Sequence, residues 1–278
     1  MLIADAQVHV WAPDTPGRPW KPGAVAHREP PLEAAGLLRE MDAAGVRRAV
    51  LVPPHHDADR HDLVLAAARE HPDRFAALGR IDTESPPAGI PDGWPAPGMR
   101  GLRCTFIRQR EVATLVAGRM EPLWSEAEKR GVAVAILVPH AQLPTIGSIA
   151  EQHPGLRLTL CHLALTSGEY DDAAFSNLDK LLALAARPSI NVNASALPFY
   201  TRDGYPYRRL HPYLRRVYDA FGPRRMFWGT DWSRLKCTYR QAVTMFTEEI
   251  PWLGARDQEW IMGRGLCEWL RWPTAAST

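Results

Sequence analysis

Eight short apolar runs recur along the chain, at residues 3–10, 49–53, 75–81, 101–106, 132–138, 157–162, 189–194 and 226–231. Between most of them lie amphipathic segments at helical spacing: 32–44, 62–70, 123–130, 144–152, 178–186 and 210–221, with 239–249 after the last run. Apolar runs this short suit strands buried on both faces better than helices. Strands of that kind alternating with helices over ~250 residues predict an α/β protein, a single (β/α)8 TIM-type barrel spanning residues 1–278. A doubly wound open sheet would carry a glycine-rich phosphate loop after an early strand, and the chain has neither G-x-G-x-x-G nor a Walker sequence. Its prolines concentrate in 12–31, 84–97 and 198–212. Segments of that length read as ordered flaps over the C-terminal face of the barrel, distorting its outline.

Composition narrows the function classes. With 278 residues, 46% of them hydrophobic, the chain can bury a large core. Its net charge is +2, and no basic cluster interleaved with aromatics points to nucleic acid. No run approaches the ~18 apolar residues of a membrane span, and the start lacks a basic stretch followed by an apolar one. Cys104, Cys161, Cys237 and Cys267 are far apart with no C-x-x-C pairing, which fits a reducing compartment. The expectation is a cytoplasmic protein acting on a small molecule, without nucleic-acid or membrane partners. Trp252, Trp260, Trp269 and Trp272 read as core, with a homo-oligomer contact as the alternative.

Polar residues interrupt this pattern at particular places. Strict alternation in the first run puts Asp5, Gln7 and His9 on one face. A buried polar row is costly unless it is hydrogen-bonded or does chemistry. The sixth and eighth runs end in His162 and Asp231 after stretches of apolar residues. In a barrel, catalytic groups sit at the carboxyl ends of the strands. Those ends offer His9, His55, Arg103 leading into Arg108, His140, His162, Asn193 and Asp231. Arg103 and Thr105 share parity, so an inward Arg103 sends Cys104 toward the helices. Trp11 and an aromatic stretch containing Tyr200, Tyr205 and Tyr207 could wall a pocket. The plain alternatives are solvated loop histidines at His55, His56 and His61, a structural ion pair at Arg103, and aromatic packing without substrate.

The motifs also resemble those of one family. Asp5-Ala6-Gln7-Val8-His9 resembles a first-strand D-x-H-x-H, and Gly101-Leu102-Arg103 a G-[IV]-R. Cys161-His162-Leu163-Ala164 resembles D-H-x-G, and Trp228-Gly229-Thr230-Asp231-Trp232 resembles G-[ST]-D-[WY]-P. Ile261-Met262-Gly263, with Leu266 and Trp269, resembles a closing helix. In this order they resemble the amidohydrolase superfamily, in the branch that holds lactonases, decarboxylases and hydratases. Gln7 stands where that pattern has a histidine, Cys161 where it has Asp, and Ala164 where it has Gly. His140 sits late for a fifth-strand ligand.

The resemblance implies hydrolysis of a small lactone or related cyclic ester, with a carboxylated substrate as one form. In that reading Asp231 is the general base on water, while His162, His9 and Gln7 polarise the carbonyl. Arg103 and Arg108 hold a substrate carboxylate, and Trp11, His55, His140, Asn193, Tyr200 and Trp232 line the pocket. Because a glutamine amide is a poor substitute for imidazole as a zinc ligand, the expected chemistry is metal-free, as in the branch's metal-independent lactonases. The alternatives are zinc at His9, His162 and Asp231 serving a decarboxylase or hydratase, an amide hydrolase, and a barrel that binds a small molecule without turnover.

Overall fold

In the computed structural model, which describes residues 1–57 and 60–274, every expected run contributes a strand. These are β1 (Ala4–Val8), β2 (Arg48–Leu51), β3 (Phe75–Arg80), β4 (Met99–Thr105), β5 (Ala133–Leu137), β6 (Leu158–Leu160), β7 (Ile190–Ser195) and β8 (Met226–Gly229). They pair in sequence order and in parallel from β1 to β8, with helices in the connections, so the architecture is a (β/α)8 TIM barrel. Arg103 faces the interior and Cys104 packs in the cluster shared with the helices, as parity requires. The helix Gln109–Val116 was not expected, because its buried residues include Glu111 and Thr114 rather than an apolar stripe. Among the described residues no helix is long and apolar enough to cross a membrane.

Two departures from simple strands shape the barrel mouth. The first is a slip in β1. Against β2, Asp5 pairs with Ala49 but Val8 pairs with Leu51, so β1 carries one extra residue there. Ala4 and Ala6 join the apolar cluster that includes Val50 and Val52, whereas Val8 and Val10 join the outer cluster. Strict alternation therefore fails. Gln7 and His9 face the cavity at the mouth, while Asp5 turns to Tyr239 at the start of the helix Tyr239–Thr247.

The second departure is at the expected strand ends. His162, Leu163, Ala164 and Asp231 all have φ near +50°. For residues other than glycine that region costs roughly 1–2 kcal/mol each. The backbone consequently leaves the sheet at Cys161 and Thr230 rather than running on as strand.

The seam between β8 and β1 is closed by individual contacts. Asp231 N donates to the Gln7 carbonyl at 2.8 Å, and Thr230 N donates to Asp5 Oδ1 at 2.8 Å. Gly229 lies so close that a Cβ there would sit 3.1 Å from Ala6 N, Ala6 Cβ and Ser195 Cβ. Gly229→Val is expected to cost about 1–3 kcal/mol through overpacking, read as a lower thermal midpoint. A midpoint equal to that of the parent would show that the seam opens freely.

Candidate active site

A cavity of about 270 Å³ opens at the carboxyl ends of the strands, above the barrel interior. Asp231, 1% exposed, lies on its floor. Its Oδ1 is 3.1 Å from His9 Nε2, and its Oδ2 is 3.7 Å from His162 Nε2 and 3.9 Å from an Arg234 nitrogen. Burial alone would raise the Asp231 pKa. The neighbouring His9, followed by His162 and Arg234, outweighs burial and holds the carboxyl ionised, well below the usual range.

The imidazoles around it have fixed orientations. His9 Nδ1 donates to the Val52 carbonyl at 2.7 Å, so its Nε2 is the nitrogen that meets Asp231. Arg103 Nη1 donates to Gln7 Oε1 at 2.6 Å, which turns the amide nitrogen of Gln7 toward His162 Nε2 at 3.2 Å. His162 accepts that N–H and carries its own proton on Nδ1, which it donates to Ser195 Oγ at 2.8 Å. Burial, opposed by Asp231, lowers the His162 pKa to about 4, so the ring is neutral. Cys161 Sγ accepts from Arg103 at 3.1 Å, and burial pushes its thiol up, away from the thiolate a nucleophile needs.

Of the residues expected at the site, Asp231, His162, His9, Gln7, Arg103, Arg108 and His55 line this cavity. The others stand behind its wall. Trp11 is buried edge-on to His27 and His56. Trp232 stacks on Tyr239 and carries the Arg28 guanidinium 4.3 Å from its ring centre. Asn193 accepts from Thr159 Oγ1 at 2.8 Å within the barrel. His140 and Tyr200 are buried without lining the cavity.

Sequence reasoning missed four polar wall residues: His27, Arg80, Glu111 and Arg234. Arg80 ends β3 and Arg234 follows Asp231 by one turn, so position relative to a strand end could have found both. His27 lies in a proline-rich segment with no periodicity to mark it.

The donors present fit a divalent metal ion. Among the described residues, His9, His27 and Asp231 bring one ligand atom each within 4.8 Å of one another. With Nδ1 committed to the Val52 carbonyl, His9 turns its Nε2 toward Asp231 Oδ1, 3.1 Å away. At that distance a proton or a cation between the two atoms satisfies both. Burial, ahead of the His9 charge, lowers the His27 pKa to about 3, which keeps it a neutral donor. His162 is not one of the three whose ligand atoms lie that close together; its Nε2 takes the Gln7 amide at 3.2 Å, shorter than the 3.5 Å from that amide to His9 Nε2.

The (β/α)8 barrel thus carries an inward histidine just after its first strand and a buried aspartate just after its eighth. The amidohydrolase family profile matches residues 4–264, and the chain belongs to that family. It is 29% identical over 247 residues to an L-fucono-1,5-lactonase of Burkholderia ambifaria, covering 83% of this chain and 81% of that protein. An amidohydrolase from Burkholderia multivorans, crystallised with bound zinc, superposes with a TM-score of 0.80 at 20% identity, over 98% of this chain and 100% of the other. A Pseudomonas putida protein assigned as a 2-pyrone-4,6-dicarboxylic acid hydrolase gives a TM-score of 0.76 at 18% identity, over 98% of each chain. At these identities the two structures share the fold.

Proposed function

We propose that this amidohydrolase opens a small monocyclic lactone by hydrolysis, with Asp231 accepting the proton of the attacking water. The observation that carries this reading is the ionised, buried Asp231 carboxylate on the floor of a small cavity, its Oδ1 3.1 Å from His9 Nε2. The likeness to a lactonase over most of the chain supports the substrate class. A base of this kind contributes about 10²–10⁴-fold when it reaches the water it deprotonates.

The donors needed at the carbonyl stand beside it. Arg103 fixes the Gln7 amide so that its N–H groups point to the floor of the cavity. Among the described residues Arg103 Nε is buried without a partner, and an acceptor on the substrate would satisfy it. Developing negative charge on the carbonyl oxygen would thus meet an oriented amide and a guanidinium. Hydrolysis leaves a carboxylate product, which the further cations Arg80, Arg108 and Arg234 on the wall complement. A divalent ion held by His9, His27 and Asp231 would supply Lewis-acid chemistry when bound.

The reading is tested with L-fucono-1,5-lactone and 2-pyrone-4,6-dicarboxylate, following the proton released on ring opening. Turnover of either lactone supports it, and a purified, folded protein inert toward a broad lactone panel overturns it. Arg103→Met is expected to raise KM about 10–100-fold, the loss of one or two hydrogen bonds from a charged donor. An unchanged KM would remove Arg103 from substrate binding.

A further inference from the structure

The three metal-competent groups come from different kinds of element. His9 follows β1 and Asp231 follows β8, both fixed to the barrel by the Val52 carbonyl and by Asp231 N donating to the Gln7 carbonyl. His27 belongs instead to the segment between β1 and the helix Ala34–Ala44. Its Nδ1 meets Ser233 Oγ at 3.0 Å, leaving Nε2 as the remaining ring nitrogen. A hydrogen bond on the far nitrogen of each imidazole is the arrangement that orients a metal-binding histidine. Three protein ligands of N, N and O type suit zinc with an open position.

The same segment has two differently held parts. Residues 15–21 are tied to the connection after β2 and to the helix Asp62–Glu70 that follows it: Arg18 pairs with Asp57 and Asp62, and Lys21 N donates to the His56 carbonyl at 2.9 Å. Residues 22–31 reach the residues after β8 through the His27–Ser233 hydrogen bond and through Arg28 over Trp232. Both of those attachments are individually weak, and a bond from His27 Nε2 to a cation would add a strong one to them.

We infer that the metal site of this chain is completed by His27, a ligand carried by the connecting segment rather than by a strand, so that zinc staples residues 22–31 onto the barrel mouth. Gln7 then has no ligand role: its Oε1 accepts from Arg103 and one amide N–H goes to His162. Binding of the ion and docking of the segment become one event, and removal of the ion loosens one wall of the cavity.

The inference concerns zinc and backbone order, so it stands or falls independently of lactone hydrolysis. Protein stripped with a chelator is titrated calorimetrically with zinc, and amide hydrogen exchange over residues 22–31 is followed with and without the ion. One zinc per chain is expected, with exchange over 22–31 slowed at least tenfold on loading. His27→Ala is expected to weaken zinc at least 100-fold with an unchanged thermal midpoint of the zinc-free protein, and to abolish the protection. His27→Gln serves as the second variant if the alanine form does not fold. His162→Asn should keep the zinc affinity within a few-fold. Failure of the parent to take up zinc overturns the inference. So does a pattern in which His162→Asn loses the ion and His27→Ala retains it, or zinc binding that leaves exchange over 22–31 unaltered.

Discussion

Asp231→Asn is expected to lower kcat for lactone opening by about 10³-fold, within the 10²–10⁴ range of a positioned proton acceptor. An amide occupies the same volume but cannot take a proton from water. The replacement is structurally mild for a specific reason. His9 Nε2 faces Asp231 Oδ1 with its other nitrogen committed to Val52. An asparagine amide can donate to that nitrogen, so a neutral hydrogen bond replaces the charged contact. The Asp231 backbone, in the left-handed region at φ 48°, is a conformation that asparagine tolerates well. The thermal midpoint should therefore stay within a few degrees while turnover collapses. Turnover within tenfold of the parent, with the fold intact by circular dichroism, would exclude Asp231 as the proton acceptor and shift the role to a group that still titrates in the variant.

The barrel was legible because its strands are short apolar runs at regular intervals, a pattern that few other architectures produce. His9, His162 and Asp231 were legible because each stands where an apolar run gives way to a loop. Asp5 was misplaced for a definite reason: period-2 reasoning assumes an unbroken strand, and the extra residue between Asp5 and Val8 reverses its face. Arg103 was read as a substrate clamp, but its first partner is Gln7. A pairing 96 residues apart in sequence exists only once the barrel closes. His27 was invisible for the opposite reason. Its position depends on how a proline-rich connection folds back over the mouth, and such a segment carries no periodic signal. Trp232 and Tyr200 looked like pocket walls because aromatic residues next to a site often are. In the fold, each is absorbed by neighbouring packing.

Asp5→Ala should be the most destabilising of these substitutions, by about 3–6 kcal/mol, because it strands several buried donors at once. Oδ1 accepts from Gln7 N at 3.0 Å and Thr230 N at 2.8 Å, while Oδ2 accepts from Tyr239 Oη at 2.7 Å and from the Thr230 hydroxyl. Burial lifts the Asp5 pKa to about 6, so at pH 8 the carboxylate is ionised and all of these donors are engaged. Each donor left buried and unpaired costs about 1–3 kcal/mol, although the two hydroxyls can turn to other acceptors while the two backbone N–H groups cannot. In a protein of this size, such a loss lowers the thermal midpoint by roughly 10 °C. The damage should also reach the chemistry. Thr230 and Gln7 are the residues through which Asp5 joins β8 to β1, and Asp231 follows the first while hydrogen-bonding the second. Asp5→Asn keeps the acceptor for both backbone donors, and its loss of stability should be at most half that of Asp5→Ala. The discriminating readout is kcat in the folded population at 25 °C. A role confined to stability leaves it unchanged in both variants, whereas positioning of Asp231 through the seam lowers it at least tenfold in Asp5→Ala and restores most of it in Asp5→Asn.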